Sequence, residues 1–143
     1  MKKAFLTLAL CAFATQGQSE SPILTPFDGS FEDATFAVET AIVGRGLVID
    51  FVSHVGDMLN RTGEDVGSDK TIFDKADVFL FCSAVVSRAV MEADPENIQH
   101  CPYGVFVTEV DGEVMIGHRD YPDGAMQQVE DLLQDIVEEA GAF

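Results

Sequence analysis

Apolar residues recur at helical spacing near the start of the chain. Phe31, Ala34, Thr35, Val38, Ala41 and Ile42 form one stripe. Ser30-Phe31-Glu32-Asp33 opens it as a capping box with Asp in place of Glu, and Gly44 and Gly46 close it. The period then changes. Residues 47–52 are apolar and β-branched and read as a strand, with Ile23 and Leu24 as an earlier one. Ser53 is placed to cap a short helix over 54–61 whose apolar members are Val55, Met58 and Leu59. Residues 64–70 are a polar loop suited to mobility. A strand over 78–81 leads to Ser83, the cap of a helix over 84–92 that buries Val85, Ala89 and Val90. Asp94-Pro95 stops this helix, because the residue before proline avoids helical dihedrals. Residues 96–99 add one turn. Strands over 103–110 and 113–118 flank Asp111-Gly112, a tight-turn pair. After a loop, Asp123 caps a last helix over 125–140, with Met126, Val129, Leu132, Leu133, Ile136 and Val137 inward.

No repeat and no long linker divides this order. It predicts a single α+β domain, a mixed β-sheet covered by helices mainly on one face.

The first residues belong elsewhere. Lys2 and Lys3 precede the apolar run AFLTLALCAFA over 4–14, and polar TQGQSES follows. That is the layout of a secretory signal. The run is shorter than the roughly 20 residues a membrane span needs. Residues 1–19 are expected to be a leader cut somewhere over 14–19. The domain then occupies 20–143, in the periplasm or outside the cell. Cys11 stands where a lipid anchor would, but Leu10 precedes it where a small residue is required.

Cleavage changes two counts. Of eight cations, Lys2 and Lys3 are lost, leaving six against 25 acids and a formal net charge of −19. Of three cysteines, Cys82 and Cys101 remain. An acidic surface excludes nucleic acid, whose phosphates need a basic face. It also disfavours anionic membranes. An even cysteine pair in an exported chain reads as a disulfide, worth about 3 kcal/mol for a loop of this size.

The same pair permits a second reading, a periplasmic thiol-redox enzyme. Cys82, at a helix N-terminus that favours the thiolate, would attack, and Cys101 would resolve. No Cys-x-x-Cys is present to support it. A third reading is a metal or haem carrier around His54, with Met58 or Met115 as further ligands. His54, His100 and His118 include no His-x-x-x-His pair, and the absence of Cys-x-x-Cys-His excludes covalent c-type haem. No metal and no cofactor is therefore expected. His54, as the histidine expected to have a specific partner, and the scarce cations Arg88 and Arg119 are the candidate ligand-binding residues. Facing one cleft, the two arginines would hold a small anionic ligand. Gly-x-Ser-x-Gly is absent, so a serine hydrolase is not expected. The Met and Phe residues read as core.

The ordered series FLFC…VMEADPENIQHCPYGVFVTEVDGEVMIGHRDYP resembles the bacterial family named domain of unknown function 302. The likeness runs over about 27–122. Its elements are the strand ending at Cys82, Ala93-Asp94-Pro95, the Cys101-Pro102 step into a strand, Gly112, and the strand that follows. The commoner family pattern has Gly-Asn-Pro at Cys82-Ser83-Ala84 and Leu-Pro at Cys101-Pro102. Both departures introduce a cysteine, which suggests an exported subtype with a disulfide in place of packing. The resemblance implies a small α+β fold and a homodimer, and it implies no activity. The expectation is thus a non-enzymatic, disulfide-stapled exported domain that binds a small ligand or a periplasmic protein partner.

Overall fold

Five strands form one sheet in the computed structural model, which describes residues 21–143. In chain order they are β1 (Ile23–Phe27), β2 (Val48–Ser53), β3 (Lys75–Cys82), β4 (Tyr103–Val110) and β5 (Glu113–His118). Four helices accompany them: α1 (Phe31–Gly44), α2 (Val55–Thr62), α3 (Ala84–Ala93) and α4 (Gln127–Ala140). The result is a single α+β domain. The expected leader and its cleavage site lie outside the described residues.

The strand order is β1-β5-β4-β3-β2, and all four pairings are antiparallel. A mixed sheet was expected, and this detail is corrected. A parallel pair needs a crossover helix lying along the sheet. The helix between β3 and β4 does not cross over. It leaves from one end of the sheet and returns to the same end.

Register assigns the side chains of each strand to two faces. Phe79 and Phe81 of β3, Tyr103, Val105 and Val107 of β4, and Val114 and Ile116 of β5 point to one face and are buried. α1 and α4 lie side by side on it. α1 contributes Ala34, Ala37, Val38, Ala41 and Ile42; α4 contributes Val129, Leu133, Ile136, Val137 and Ala140. The alanines let the helices approach closely, so the two aliphatic faces close over the sheet.

Local chemistry sets the boundaries. Ser30 and Asp33 form the capping box at α1: the Ser30 hydroxyl accepts from Asp33 N–H at 3.1 Å and donates to the Asp33 carboxylate at 2.7 Å. Gly46 N–H and Leu47 N–H close the other end on the Val43 and Ile42 carbonyls. Asp111 and Gly112 both have positive φ, the requirement of the tight turn that joins β4 to β5. Lys75 ties the start of α1 to the sheet. Its Nζ is 2.6 Å from Glu32 and 3.6 Å from Glu109, and it stands 5.5 Å above the Phe31 ring.

Other boundaries differ from the sequence reading. β3 begins at Lys75, three residues earlier than expected, because its pairing with β4 continues to Glu109. Ser53 belongs to β2, and His54 occupies the N-cap of α2 without a side-chain hydrogen bond to the helix. Met126, not Asp123, precedes α4. The loop over 64–70 opens with a 3-10 turn, Glu64–Val66. Val85 is 80% exposed, while Val86 and Val90 carry the inward side of α3.

The capping box makes one prediction. The Ser30 side chain, then its backbone N–H, holds the Asp33 carboxyl below its ordinary range. A carboxyl with a lowered folded-state pKa contributes stability above its unfolded pKa and loses it as pH falls through the folded one. Ser30→Ala is expected to raise the Asp33 midpoint toward its ordinary value in a carboxyl NMR titration. The stability lost in the variant would show above the ordinary carboxyl pKa, and the difference from the parent would vanish as pH falls through the Asp33 midpoint. An unmoved midpoint would count against the box.

Candidate functional site

Antiparallel neighbours end and begin at the same end of a sheet, so Cys82 at the end of β3 and Cys101 before β4 are brought together. Between them run α3 and the 3-10 turn Pro95–His100. The two cysteines are bridged, with Cα atoms 6.8 Å apart, at the base of this excursion. The Cys101–Pro102 peptide is cis. Ser83 caps α3 by accepting from Val86 N–H, so the helix N-terminus stands directly beside Cys82.

The second face of the sheet has little cover. Register places Leu24, Val48, Phe51, Val78, Leu80, Phe106 and Met115 on it. Val48 is 72% exposed, Phe51 61% and Leu24 48%. α2 covers one corner, where Gly56 lies on the backbone of Lys75 and Ala76. Beside α2 a half-open cavity of about 340 Å³ is lined mainly by apolar groups, with Val55 and Phe73 on one side and Leu24, Val78, Phe106 and Thr108 on the sheet. Apart from Glu113 at the hairpin tip, no strand side chain that register assigns to this face is charged. The sheet edges are guarded: Asp50 is skipped by a bulge in β2, and Pro26 interrupts donors along β1.

The candidate ligand-binding residues do not converge. His54 follows β2 and has a specific partner, Asp77 of β3, with Nδ1 2.7 Å from its carboxylate. Arg88 lies at the opposite end of the sheet on α3. It pairs with Glu92 one turn on and lines a surface groove with Ala84, Ser87 and Met91. Arg119 follows β5, is exposed and is not part of that groove. Of the two arginines, Arg88 alone lines that groove.

The three histidines differ in exposure: His54 is exposed, His100 half-buried and His118 buried. His118 is fully buried, because the last residue of β5 faces the helices. Its Nδ1 is 2.7 Å from the Arg119 carbonyl and its Nε2 3.2 Å from the Gln134 carbonyl oxygen. His100 meets the Tyr121 ring edge-on at 5.6 Å. Burial pushes the Tyr121 phenol above its ordinary pKa. Among the described residues, no three His, Cys, Asp or Glu side chains gather into a group that could hold a metal ion.

This layout of strands, helices and bridged strand ends can be set against known proteins. The profile of the family described as "Domain of unknown function DUF302" matches residues 24–142. The chain belongs to the DUF302 family. The crystal structure of an uncharacterized conserved DUF302 protein from Bacillus stearothermophilus superposes on this DUF302 domain with a TM-score of 0.61 at 14% identity. It covers 85% of this chain and 93% of that one. At that identity the likeness is one of fold. No curated protein matches the chain. The bridged pair supports the reading of a cysteine-stapled DUF302 subtype.

Sequence reasoning missed part of the DUF302 surface by reading every phenylalanine as core. Phe36, Phe51 and Phe143 are 65%, 61% and 69% exposed. One signal was available: Phe36 is a large apolar residue on α1 that falls outside the stripe of Ala34, Val38 and Ala41.

Proposed function

We propose that this protein is an exported, non-enzymatic binding domain whose working surface is the uncovered face of its sheet. The observation that carries this reading is the run of apolar, uncharged side chains across five strands of a chain with a formal net charge of −17. Antiparallel sheets solvated on one face ordinarily present polar residues there. A large exposed apolar patch is a contact surface. Support for export comes from the leader layout and from the bridged cysteines, which suit an oxidising compartment.

The occupant best matched to the face is a second copy of the chain. Two like-charged molecules repel least where both carry little charge, and this face carries only Glu113 at its hairpin tip and Asp77 at the cavity rim. From strand spacing and rise the face measures roughly 24 Å by 17 Å. Two copies would then bury on the order of 800–1,000 Å², the low end of specific interfaces. A reversible dimer in the micromolar range is expected. No helix among the described residues is long and apolar enough to cross a membrane.

Sedimentation velocity tests the pairing. Phe51→Lys combined with Leu24→Lys places charge on two exposed positions, so the monomer should still fold. The double variant is expected to weaken dimerisation at least ten-fold or so, since like charges facing each other across an interface cost several kcal/mol. A protein that stays monomeric well above micromolar concentration, or a double variant that pairs as well as the parent, would sink the dimer.

A further inference from the structure

On the helix-bearing side, away from the uncovered sheet face, the chain leaves β1 and enters α1 around a groove of about 290 Å³. Phe27, Phe36 and Phe143 line it, together with the carboxylates Asp28 and Asp33. The Phe27 ring folds back over Gly29, where an added Cβ would come within 2.6 Å of it. Phe36 stands in solvent on a side of α1 where a helix normally presents polar residues, and Phe143, beyond the end of α4, is exposed as well. Asp33 accepts from Ser30, and Ser30 holds its carboxyl below the ordinary range, which keeps it ionised. Among the described residues, neither Asp28 nor Asp33 has a cationic partner.

We propose that this groove, bounded by three phenyl side chains and two carboxylates, binds a small free quaternary ammonium compound. Aromatic faces attract cations through the ring quadrupole, and quaternary ammonium ions are their characteristic ligands. A primary ammonium needs hydrogen-bond acceptors around it, whereas a trimethylammonium group has no donors and suits phenyl walls. The carboxylates supply the complementary charge from the rim. The volume is near the lower bound of small-molecule sites, about 300 Å³, and matches one such headgroup rather than an extended chain. The acidic surface favours a soluble cation over an anionic lipid surface. Because the groove is on the other side of the molecule, this proposal does not depend on the pairing of the sheet face.

The test is an NMR titration of the domain with choline, alongside 3,3-dimethylbutan-1-ol, its neutral isostere. Choline is expected to shift the amides of Gly29 and Ala37 in a saturable way, and the neutral isostere to bind at least about ten-fold more weakly. Phe36→Ala, at an exposed position that leaves the fold intact, is expected to lower choline affinity about five-fold or more. Asp28→Asn is expected to lower it as well. Equal binding of the isostere would show a merely apolar groove and overturn the proposal. So would choline affinity unchanged by Phe36→Ala. Phosphatidylcholine vesicles provide the remaining arm: sedimentation with vesicles in the absence of free-choline binding would assign the groove to a membrane and refute a small free ligand.

Discussion

Replacing both Cys82 and Cys101 by alanine is expected to destabilise the domain by about 3 kcal/mol, the chain-entropy value for a loop of this length. The sequence separation is 19 residues. For a domain of this size that corresponds to a fall in melting temperature of roughly 10 °C. The loss should be uneven. The main core lies between the sheet and α1 and α4, and the bridge constrains neither helix. α3 buries Val90 fully and otherwise touches mainly α4 and the 3-10 turn after it. Amide exchange over 84–100 should therefore accelerate before exchange in β4 or α4. A double variant with an unchanged melting temperature would show that the bridge does not limit the unfolded chain. The same bond separates the binding reading from the thiol-redox one. A structural disulfide has a reduction potential below about −300 mV. A markedly higher value would reopen Cys82 as an attacking thiol at the N-terminus of α3.

Gly56→Ala should also be damaging, against the usual direction for a helix. Alanine in place of glycine inside a helix ordinarily gains about 1 kcal/mol. Here a Cβ at position 56 would stand 2.5 Å from Ala76 N, 3.0 Å from the Lys75 carbonyl carbon and 3.2 Å from Lys75 Cα. All three are backbone atoms of β3 and cannot swing aside as a side chain would. α2 must lift off the sheet. Overpacking of this kind costs about 1–3 kcal/mol and outweighs the helical gain. His54 is the N-cap of α2, so its contact with Asp77 should be lost in the same step. A thermal melt and the His54 ring signals by NMR would report both effects. A more stable variant with unchanged His54 signals would mean that α2 is not held against β3.

Much of this fold was legible because it is written in local pattern. The stripe from Phe31 to Ile42, the capping box at Ser30, the stop at Asp94-Pro95 and the Asp111-Gly112 turn each depend on residues a few positions apart. Several misjudged points depend on neighbours distant in sequence. Val85 faces solvent because α3 sits off the end of the sheet, where one narrow side is covered. β3 extends to Lys75 because β4 continues to pair with it. His118 is buried because register turns it toward α4.

The candidate sites divide along the same line. His54 was singled out and does have a close partner, but nothing in the sequence identified Asp77, 23 positions away. Arg88 and Arg119 looked alike as scarce cations, and antiparallel topology placed them on separate elements. Phe36 falls outside the apolar stripe of α1 and was legible as exposed, whereas for Phe51 and Phe143 composition cannot distinguish a buried ring from a solvated one.

By itself, the order of residues determined the elements, the α+β class, the family resemblance, the acidic surface and the cysteine pair. These follow from short-range periodicity, turn chemistry and simple counting. Only the tertiary structure decided that the sheet is wholly antiparallel, that its uncovered face is largely apolar, and that two carboxylates gather beside three phenyl rings. Strand pairing and helix docking join residues far apart in sequence, and no local pattern records which partners will meet.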